Sequence, residues 1–286
     1  MTVLRRAVQK DSVAIEAFLA QHPETSMFLR GNLAAHGLDN SEHRHGTSYW
    51  FEERGGITGI IGCTNGGYLM CQAPTAARSF WDRAAEVLLD RNIEGLTGVP
   101  AQVNAWIGAL GLKSDAFSIK VTEPLYRLPL DALREPDMAN LVLRKPLADD
   151  FALLMQWFDG YAQDTGIAPT DGSSGKDAAA VFTAHEAARI LEQGGTPVAM
   201  TSLNAQVADT VQVGGVYVPP GMRGQGLGGA VVAAQLAELR SQGTRLAILF
   251  AANVPAARAY ERIGFRHIGS YEIALLKSPH KVGSCS

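Results

Sequence analysis

The sequence predicts an α/β (α+β) protein with two consecutive domains, each built from a mixed sheet flanked by helices. The chain has 286 residues, which corresponds to about two domains at roughly 150 residues each. Hydrophobic residues make up 47% and charged residues 19% of the sequence, a balance typical of packed cores. In the second half, short apolar runs alternate with amphipathic helical patterns, and this alternation indicates a fold that contains both strands and helices.

An internal repeat near the start of each half supports a duplication. The segment Val3–Ile15 aligns without a gap with Leu141–Leu153, and each reads as a short strand followed by a capped amphipathic helix. The alignment forms two matched pairs: Arg6 with Arg144, and Asp11 with Asp149. Chance similarity is the alternative, because the starts of strand–helix units look alike.

A second similarity lies near the end of each half. The segment Ala105–Leu112 resembles Arg258–Phe265, and both read as helices that end at a glycine, Gly111 or Gly264. Because the two landmarks occur in the same order, we predict a duplicated domain with boundaries at 1–135 and 136–286.

The second half predicts the following elements in chain order. Strands are expected at Leu141–Arg144, Val198–Leu203, Val211–Val218, Arg245–Ala251 and Arg266–Leu276. Helices are expected at Asp149–Ala162, Lys176–Gln193, Gly226–Gln242 and Asn253–Ile263. Apolar residues at helical spacing support these helices. A stretch rich in Gly, Ser, Thr and Asp, Gln163–Gly175, predicts a surface loop.

The strongest chemical signal is a glycine-rich turn between a strand and a helix. The strand leads into Val218-Pro219-Pro220, and the turn reads Arg223-Gly224-Gln225-Gly226-Leu227-Gly228-Gly229. Glycines let the backbone approach a bulky anion, and a helix N-terminus directs unpaired N–H groups at it. The turn therefore predicts a phosphate or pyrophosphate site.

Two familiar phosphate loops fit this turn less well. A Walker loop needs Gly-Lys-Ser/Thr, whereas the chain has Gly229-Ala230-Val231, so that class is excluded. The spacing of Gly224, Gly226 and Gly229 does match the dinucleotide pattern GxGxxG. However, the next strand lacks the terminal Asp or Glu that would bind the ribose. Dinucleotide binding therefore stays only as the less favoured alternative.

The segment resembles the acyl-CoA-binding motif of the GNAT acetyltransferase superfamily, Gln/Arg-x-x-Gly-x-Gly/Ala. Here that motif is Arg223–Gly228 after a Val-x-Pro lead. A second family signature follows: Asn253 opens a helix that carries Tyr260 and ends at Gly264-Phe265. The resemblance covers Leu141–Leu276 well and Val3–Leu130 only in outline.

The resemblance implies tandem GNAT-like domains, each with a mostly antiparallel sheet in which two parallel strands splay apart around acetyl-CoA. The implied cofactor-binding residues are Val216, Tyr217, Val218, Arg223, Gly224, Gln225, Gly226, Leu227, Gly228, Gly229, Asn253 and Tyr260. Backbone groups of residues 216–218 would pair with the pantetheine arm, and the glycine loop would hold the pyrophosphate. Tyr260 is the implied catalytic acid, because a phenol is protonated at neutral pH and can donate to a departing thiolate.

Each of these assignments has a structural alternative. Tyr260 could be a packing aromatic, Asn253 a helix cap, and Arg223 a surface charge. The general base is not evident. Three carboxylates are candidates: Asp209, Glu186 and Glu272. An amine with a pKa near 8 would need little help from a base.

The first half lacks the corresponding chemistry. Aligned on the closing glycines, Ile107 stands opposite Tyr260 and Pro100 opposite Asn253. The strand-like segment Gly67–Pro74 leads into a helix start without a glycine loop. The sequence therefore predicts a degenerate domain that has lost its cofactor site.

Composition excludes several classes of protein. Twenty-five Lys and Arg against 28 Asp and Glu give a formal charge of −3, which is unlike a nucleic-acid-binding domain. No apolar run approaches the ~20 residues of a membrane span, and the start has no signal-peptide pattern. The cysteines Cys63, Cys71 and Cys285 encode no disulfide framework or zinc site. We expect a cytoplasmic protein without a metal, and we interpret His43 and His45 as part of an exposed loop.

The expected function is transfer of an acetyl group from acetyl-CoA to a primary amine, by direct attack on the thioester. The alternative is a non-catalytic acyl-CoA-binding or sensor protein. The acceptor would be a small-molecule or peptide amine, with no nucleic-acid or membrane partner, and the protein a monomer or homodimer. The sequence does not define the acceptor, the acyl-chain preference or the role of the first half.

Overall fold

The computed structural model describes residues 3–166 and 187–283. These residues form two compact units. Unit 1 contains the chain up to Glu123 together with the residues from Ser270 onward, and unit 2 contains Pro124–Gly269.

Unit 1 is a mixed sheet with helices on both faces. Its helices are α1 (Ser12–Leu19), α2 (Pro23–His36), α3 (Arg78–Glu86) and α4 (Pro100–Ala109). Its strands are β1 (Arg5–Arg6), β2 (Thr47–Glu53), β3 (Ile57–Thr64), β4 (Tyr68–Gln72), β5 (Asn92–Gly98), the first part of β6 (Phe117–Pro129) and most of β12 (Arg266–Lys281). The strand order is β1-β2-β3-β4-β5-β12, and only the β4–β5 pair among these is parallel.

Unit 2 repeats this plan. The helices among its described residues are α5 (Phe151–Thr165), α6 (Leu227–Ser241) and α7 (Val254–Arg262). Its further strands are β7 (Leu141–Arg144), β8 (Arg189–Gln193), β9 (Thr196–Val207), β10 (Thr210–Tyr217) and β11 (Leu246–Phe250). The order is β6-β11-β10-β9-β8-β7, with β10–β11 as the parallel pair.

The two faces of the unit 2 sheet carry separate cores. Val211 and Val213 of β10 lie in the larger core with side chains of α6 and α7. On the other face, Trp157 of α5 packs in a smaller core with Met200 and Tyr217. The alternation of side chains along β10 therefore assigns each of its residues to one helical layer.

The structure supports the duplication but shifts its alignment by one residue. Arg5 binds Asp11 through two hydrogen bonds of 2.8 Å, and Val8 N–H donates to the same carboxylate. Arg144 binds Asp150 in the same way at 2.6 and 2.9 Å, and Leu147 N–H donates to Asp150. The predicted pairs of Arg6 with Arg144 and Asp11 with Asp149 are therefore wrong, because the ungapped sequence match ignored the arginine–aspartate contact.

Two predicted elements also differ from the structure. The helix expected at Lys176–Gln193 is wrong at its end, since Arg189–Gln193 is strand β8 paired with β7 and β9. Its start lies outside the described residues. The expected loop at Gln163–Gly175 begins inside helix α5, which continues to Thr165. Two apolar residues that suggested a helix at this end, Ala188 and Leu191, are buried in the cores on the two faces of the unit 2 sheet.

Each compact unit contains a strand that lies on the far side of the predicted join at 135/136. Leu125–Pro129, from the first half of the chain, pairs with β11 of unit 2. Glu272–Lys281, from the second half, pairs with β5 of unit 1. Each sheet is therefore completed by a strand from the other half of the sequence.

Candidate functional site

The site predicted in unit 2 begins where the parallel strands separate. β10 and β11 pair at only three positions, from Thr210 with Leu246 to Gln212 with Ile248. Beyond Gln212, the register of β10 against β9 shifts between Gly214 and Tyr217. Gly215 has a φ of +58° there, a conformation that glycine adopts without strain. This bulge bends β10 away from β11 and produces the predicted splay.

The glycine loop connects β10 to the start of α6. Gly224 and Gly226 both have a φ of +80°, and Gly226 is the N-cap of α6. A Cβ atom added at either glycine would meet no protein atom within 4 Å. These two glycines therefore serve the backbone conformation and leave the front of the loop open.

The N-terminus of α6 has backbone N–H groups without intrahelical acceptors. The first intrahelical hydrogen bond runs from Ala230 N–H to the Gly226 carbonyl at 3.0 Å. The N–H groups of residues 227–229 precede it and lack intrahelical acceptors by helix geometry. Together with the helix dipole, they form a position that favours an anion.

Other residues of the loop have packing roles. The Leu227 side chain is buried in the core of unit 2. A Cβ on Gly229 would lie 3.3 Å from the Ala259 carbonyl oxygen, so this glycine permits close packing of α6 on α7. A Cβ added at Gly228 would lie at an ordinary 3.6 Å from the Val218 side chain, and Gln225 is exposed.

Arg223 is held against the end of α5. Its Nε donates to the Val218 carbonyl at 2.9 Å, and its guanidinium forms an ion pair with Asp164. The guanidinium carbon also lies 5.7 Å from the centre of the Tyr217 ring. Sequence reasoning missed Asp164, because it lies in a segment expected to be a loop, and its contact with Arg223 is made only by the fold.

The strand residues 216–218 divide between the two faces of the sheet. Val216 and Val218 are partly buried against the larger core, while Tyr217 is buried beside Trp157. The Tyr217 hydroxyl lies where a Cβ on Gly160 would stand. Glycine at 160 therefore lets α5 pack directly on this strand.

Asn253 and Tyr260 occupy the two ends of α7. Asn253 is the N-cap, and its Oδ1 accepts a hydrogen bond from Ala256 N–H at 2.9 Å. Its side chain is exposed, which leaves the amide NH₂ on the surface. Tyr260 is only 6% exposed and packs in the core with Phe265 at a ring distance of 6.0 Å. Both positions have the structural roles named as alternatives, and their chemical roles stay predictions.

A second buried phenol lies beside α7. Tyr126 donates a hydrogen bond to Glu261 Oε1 at 3.0 Å. Burial, reinforced by this carboxylate, raises the pKa of Tyr126. Tyr126 therefore remains protonated well above neutral pH.

The candidate general bases do not converge on the splay. Asp209 is exposed in the turn before β10, at the opposite end of the parallel ladder. Glu272 belongs to unit 1, where it accepts a hydrogen bond from Thr122 and lies 3.4 Å from Lys120 Nζ. Glu186 lies outside the described residues. No group of three or more metal ligands that could hold an ion occurs within residues 3–166 and 187–283.

In unit 1 the space between the ends of the parallel strands β4 and β5, the wedge of this unit, is closed. The last parallel pair of β4 and β5 is Met70 with Thr97. Thr97 lies two residues nearer in sequence to Gly111 than Ile248, in the last parallel pair of unit 2, lies to Gly264. The Gln102 side-chain oxygen accepts the Ala73 N–H at 2.7 Å, at the end of the separating strand. A Cβ at Gly98 would lie 3.3 Å from the Cys71 sulfur. Protein groups therefore occupy the space that unit 2 leaves open.

The segment of the chain that forms this site also matches a known family in sequence. The model of the Acetyltransferase (GNAT) family matches residues 153–265, which include the splayed strands, the glycine loop and α7. This segment belongs to the GNAT family. No curated protein matches the chain.

Several solved structures are similar in fold to the whole chain, and not only to the segment that the family model matches. A Drosophila protein has a TM-score of 0.63 at 14% identity, covering 96% of this chain and 99% of that chain. A GCN5-related N-acetyltransferase from Sphaerobacter thermophilus has a TM-score of 0.54 at 14% identity, covering 98% and 96%. A tandem GNAT protein from the clavulanic acid biosynthesis pathway has a TM-score of 0.55 at 14% identity, covering 100% of both chains. The chain therefore has the tandem GNAT fold.

Proposed function

We propose that the GNAT domain binds acetyl-CoA and transfers its acetyl group to a primary amine by direct attack on the thioester. The observation that carries this proposal is the open glycine loop at the start of α6, next to the point where β10 and β11 separate. The family match supports acyl transfer as the general reaction.

The residues present fit the phosphate end of acetyl-CoA. The open space at Gly224 and Gly226 allows a phosphate to approach the backbone. The N–H groups of residues 227–229 supply the donors. The Val218 carbonyl already accepts from Arg223, but it has a second lone pair for a pantetheine amide.

Two side chains have proposed roles near the reacting end. The bound thioester supplies the electrophilic acyl carbon. The exposed Asn253 amide would donate to the pantetheine arm, since its oxygen alone is used in the helix cap. The Tyr260 hydroxyl would give its proton to the sulfur of the departing thiolate and regain one from solvent.

The proposal includes a small-molecule or peptide amine as acceptor and a monomeric or homodimeric protein in the cytoplasm. The described residues contain no helix long and apolar enough to cross a membrane. A non-catalytic acyl-CoA sensor is the competing function, favoured by the deep burial of Tyr260.

The first test is calorimetric titration of the purified protein with acetyl-CoA. We expect one site per chain, because the wedge of unit 1 is closed by Gln102 and Cys71. Two sites per chain would contradict this account of unit 1. No binding at millimolar acetyl-CoA would overturn the proposal.

The second test separates enzyme from sensor. CoA release is followed with an amino acid, an amino sugar, a polyamine and a lysine-containing peptide as acceptors. Steady release that depends on the acceptor supports the transferase. Binding of acetyl-CoA without such release supports the sensor.

A further inference from the structure

The side chain of Arg223 links three parts of unit 2. Its Nε donates to the Val218 carbonyl at 2.9 Å, and an Nη2 group forms the ion pair with Asp164. Its guanidinium also lies over the Tyr217 ring. These contacts, the Arg223 brace, tie the end of β10 and the end of α5 to the residue directly before Gly224.

Helix α5 turns one face toward this end of β10. The rings of Trp157 and Tyr217 lie 6.2 Å apart, and the Tyr217 hydroxyl lies where a Cβ on Gly160 would stand. Residues 157, 160 and 164 recur at helical spacing, so they share this face. The close approach that Gly160 permits therefore brings Asp164, one turn further along, to the guanidinium of Arg223.

The position of Asp164 within α5 is unfavourable for a carboxylate. The helix ends at Thr165, so Asp164 lies in its last turn, where the negative end of the helix dipole repels an acid. Among the described residues, Arg223 is its only hydrogen-bond or ion-pair partner. The ion pair with Arg223 therefore accounts for a carboxylate at this position.

The brace holds the guanidinium on the α5 side of the strand, beside Tyr217. The donors for an anion are elsewhere, in the backbone N–H groups of residues 227–229 at the start of α6. No rearrangement of Arg223 is needed for these N–H groups to receive a phosphate. The geometry thus gives the Arg223 side chain a role in holding the loop.

Unit 1 provides a contrast, because it has no glycine loop after β4. Arg78, the first residue of α3, has a side chain that is 90% exposed. Within the described part of the chain, its ion pair is with Asp82 of the same helix, at 4.0 Å. This arginine near a helix start ties no second element to the strand end.

We propose that Asp164 is a positioning residue of the acetyl-CoA site, an inference that rests on the proposed function. Acting through Arg223, it fixes the start of the glycine loop against the end of β10. The N–H groups of the loop are then aimed before the pyrophosphate arrives, and less conformational freedom is lost on binding. The guanidinium is a link between parts of the fold and not a phosphate ligand.

The test compares Asp164→Asn with Asp159→Asn, which removes the same charge from the same helix. Asp159 has no ion pair among the described residues. Calorimetric affinity for acetyl-CoA, steady-state kinetics with the best amine of the panel and ligand-free Tm are measured. For Asp164→Asn we expect a Kd and a KM for acetyl-CoA raised about three- to fivefold, the range of an exposed ion pair, with kcat unchanged. Asp159→Asn should bind like wild type, and the two variants should have similar Tm values.

A third variant, Arg223→Lys, distinguishes a link from a charge. Lysine keeps the positive charge, but its single ammonium does not reproduce the planar fork that reaches Val218 and Asp164 together. We expect Arg223→Lys to weaken acetyl-CoA binding as much as Asp164→Asn does. The double variant should lose less than the sum of the two, because both changes break the same brace.

Three results would overturn the role of Asp164. One is unchanged or tighter binding by Asp164→Asn, since a carboxylate that merely competes with phosphate for Arg223 would weaken binding in the wild type. The second is wild-type affinity in Arg223→Lys, and the third is an equal loss in Asp159→Asn. Failure of the proposed function itself is seen separately, as a wild-type protein that binds no acetyl-CoA or releases no CoA with any amine.

Discussion

Residues of one type serve different purposes in this protein, and two neighbouring glycines of the loop show the difference. Gly226 holds a left-handed φ at an open surface, whereas Gly229 lets α6 approach α7. Both read alike in the sequence. Only the space around each residue separates a glycine at an open surface from a glycine that permits close packing.

Gly226→Val should abolish acetyl-CoA binding. A β-branched residue is strained at a φ of +80°, and its side chain would fill the space in front of the loop. The control is Gly194→Val in the β8–β9 turn, where φ is +57° and the surroundings are equally open. We expect both variants to lose stability but only Gly226→Val to lose binding by calorimetry. Unchanged affinity in Gly226→Val would refute the loop assignment.

Tyr260→Phe should lower turnover by about a hundredfold or more, the scale of general acid catalysis, and leave acetyl-CoA affinity nearly unchanged. The ring keeps its packing against Phe265, so only the hydroxyl is lost. The measurement is kcat alongside a calorimetric Kd. Equal rates for variant and wild type would assign Tyr260 to packing alone.

At the scale of elements, the same arginine–aspartate clamp opens each unit. Arg5 with Asp11, and Arg144 with Asp150, tie the first strand of a unit to the turn before its first long helix. Each carboxylate also accepts a backbone N–H three residues before it, from Val8 or Leu147. The clamp therefore fixes the entry of the helix through one side chain.

Acid should loosen this clamp. The Arg5 hydrogen bonds lower the pKa of Asp11 from 3.8 to about 2, and Arg144 likewise lowers the pKa of Asp150. A carboxylate whose pKa is lower in the folded state stabilises above its unfolded pKa, and this stability is lost as the pH falls through the folded pKa. The contribution of Asp11 should therefore disappear between about pH 4 and pH 2.

The measurement compares the Tm of wild type and Asp11→Asn from pH 6 to pH 2. At pH 6 the variant should melt about 2–4 °C lower, the shift that ~1 kcal/mol produces in a domain of this size. The two curves should converge toward pH 2. Parallel curves across the whole range would contradict a role for the ionised carboxylate.

At the scale of the whole molecule, the exchange of strands between the halves of the sequence is the main organisational feature. β11 has its antiparallel neighbour in Leu125–Pro129, and β5 has its neighbour in Glu272–Lys281. Cutting the chain at the predicted join of 135/136 would therefore remove β12 from the sheet of unit 1 and β6 from the sheet of unit 2.

A pair of fragments tests this exchange. The fragment 124–269 retains the segment that pairs with β11, while 136–269 lacks it. We expect a cooperative thermal transition for the first and none for the second, because the fully buried Ile248 and Leu249 would lose a strand neighbour. A cooperative transition of 136–269 at the same Tm would contradict the expectation.

Much of unit 2 could be predicted because its signals are local. Helix α6 was expected at Gly226–Gln242 and is found at Leu227–Ser241, since its glycine cap and apolar spacing lie within the segment itself. Asn253 was a recognisable cap for the same reason. Strand β8 was missed, because its apolar residues suit either a buried helix or a strand until the neighbouring strands are known.

The sequence by itself determined the tandem α/β plan and the glycine-rich turn before α6, and it has no such turn at the corresponding place in the first half. Each depends on residues within a few positions of one another, whose turns, caps and periodicity are set by local backbone preferences. The tertiary structure alone decided which strands complete each sheet and how Asp164 meets Arg223. These features depend on contacts between segments far apart in the chain, and only packing of the whole sheet brings such segments together.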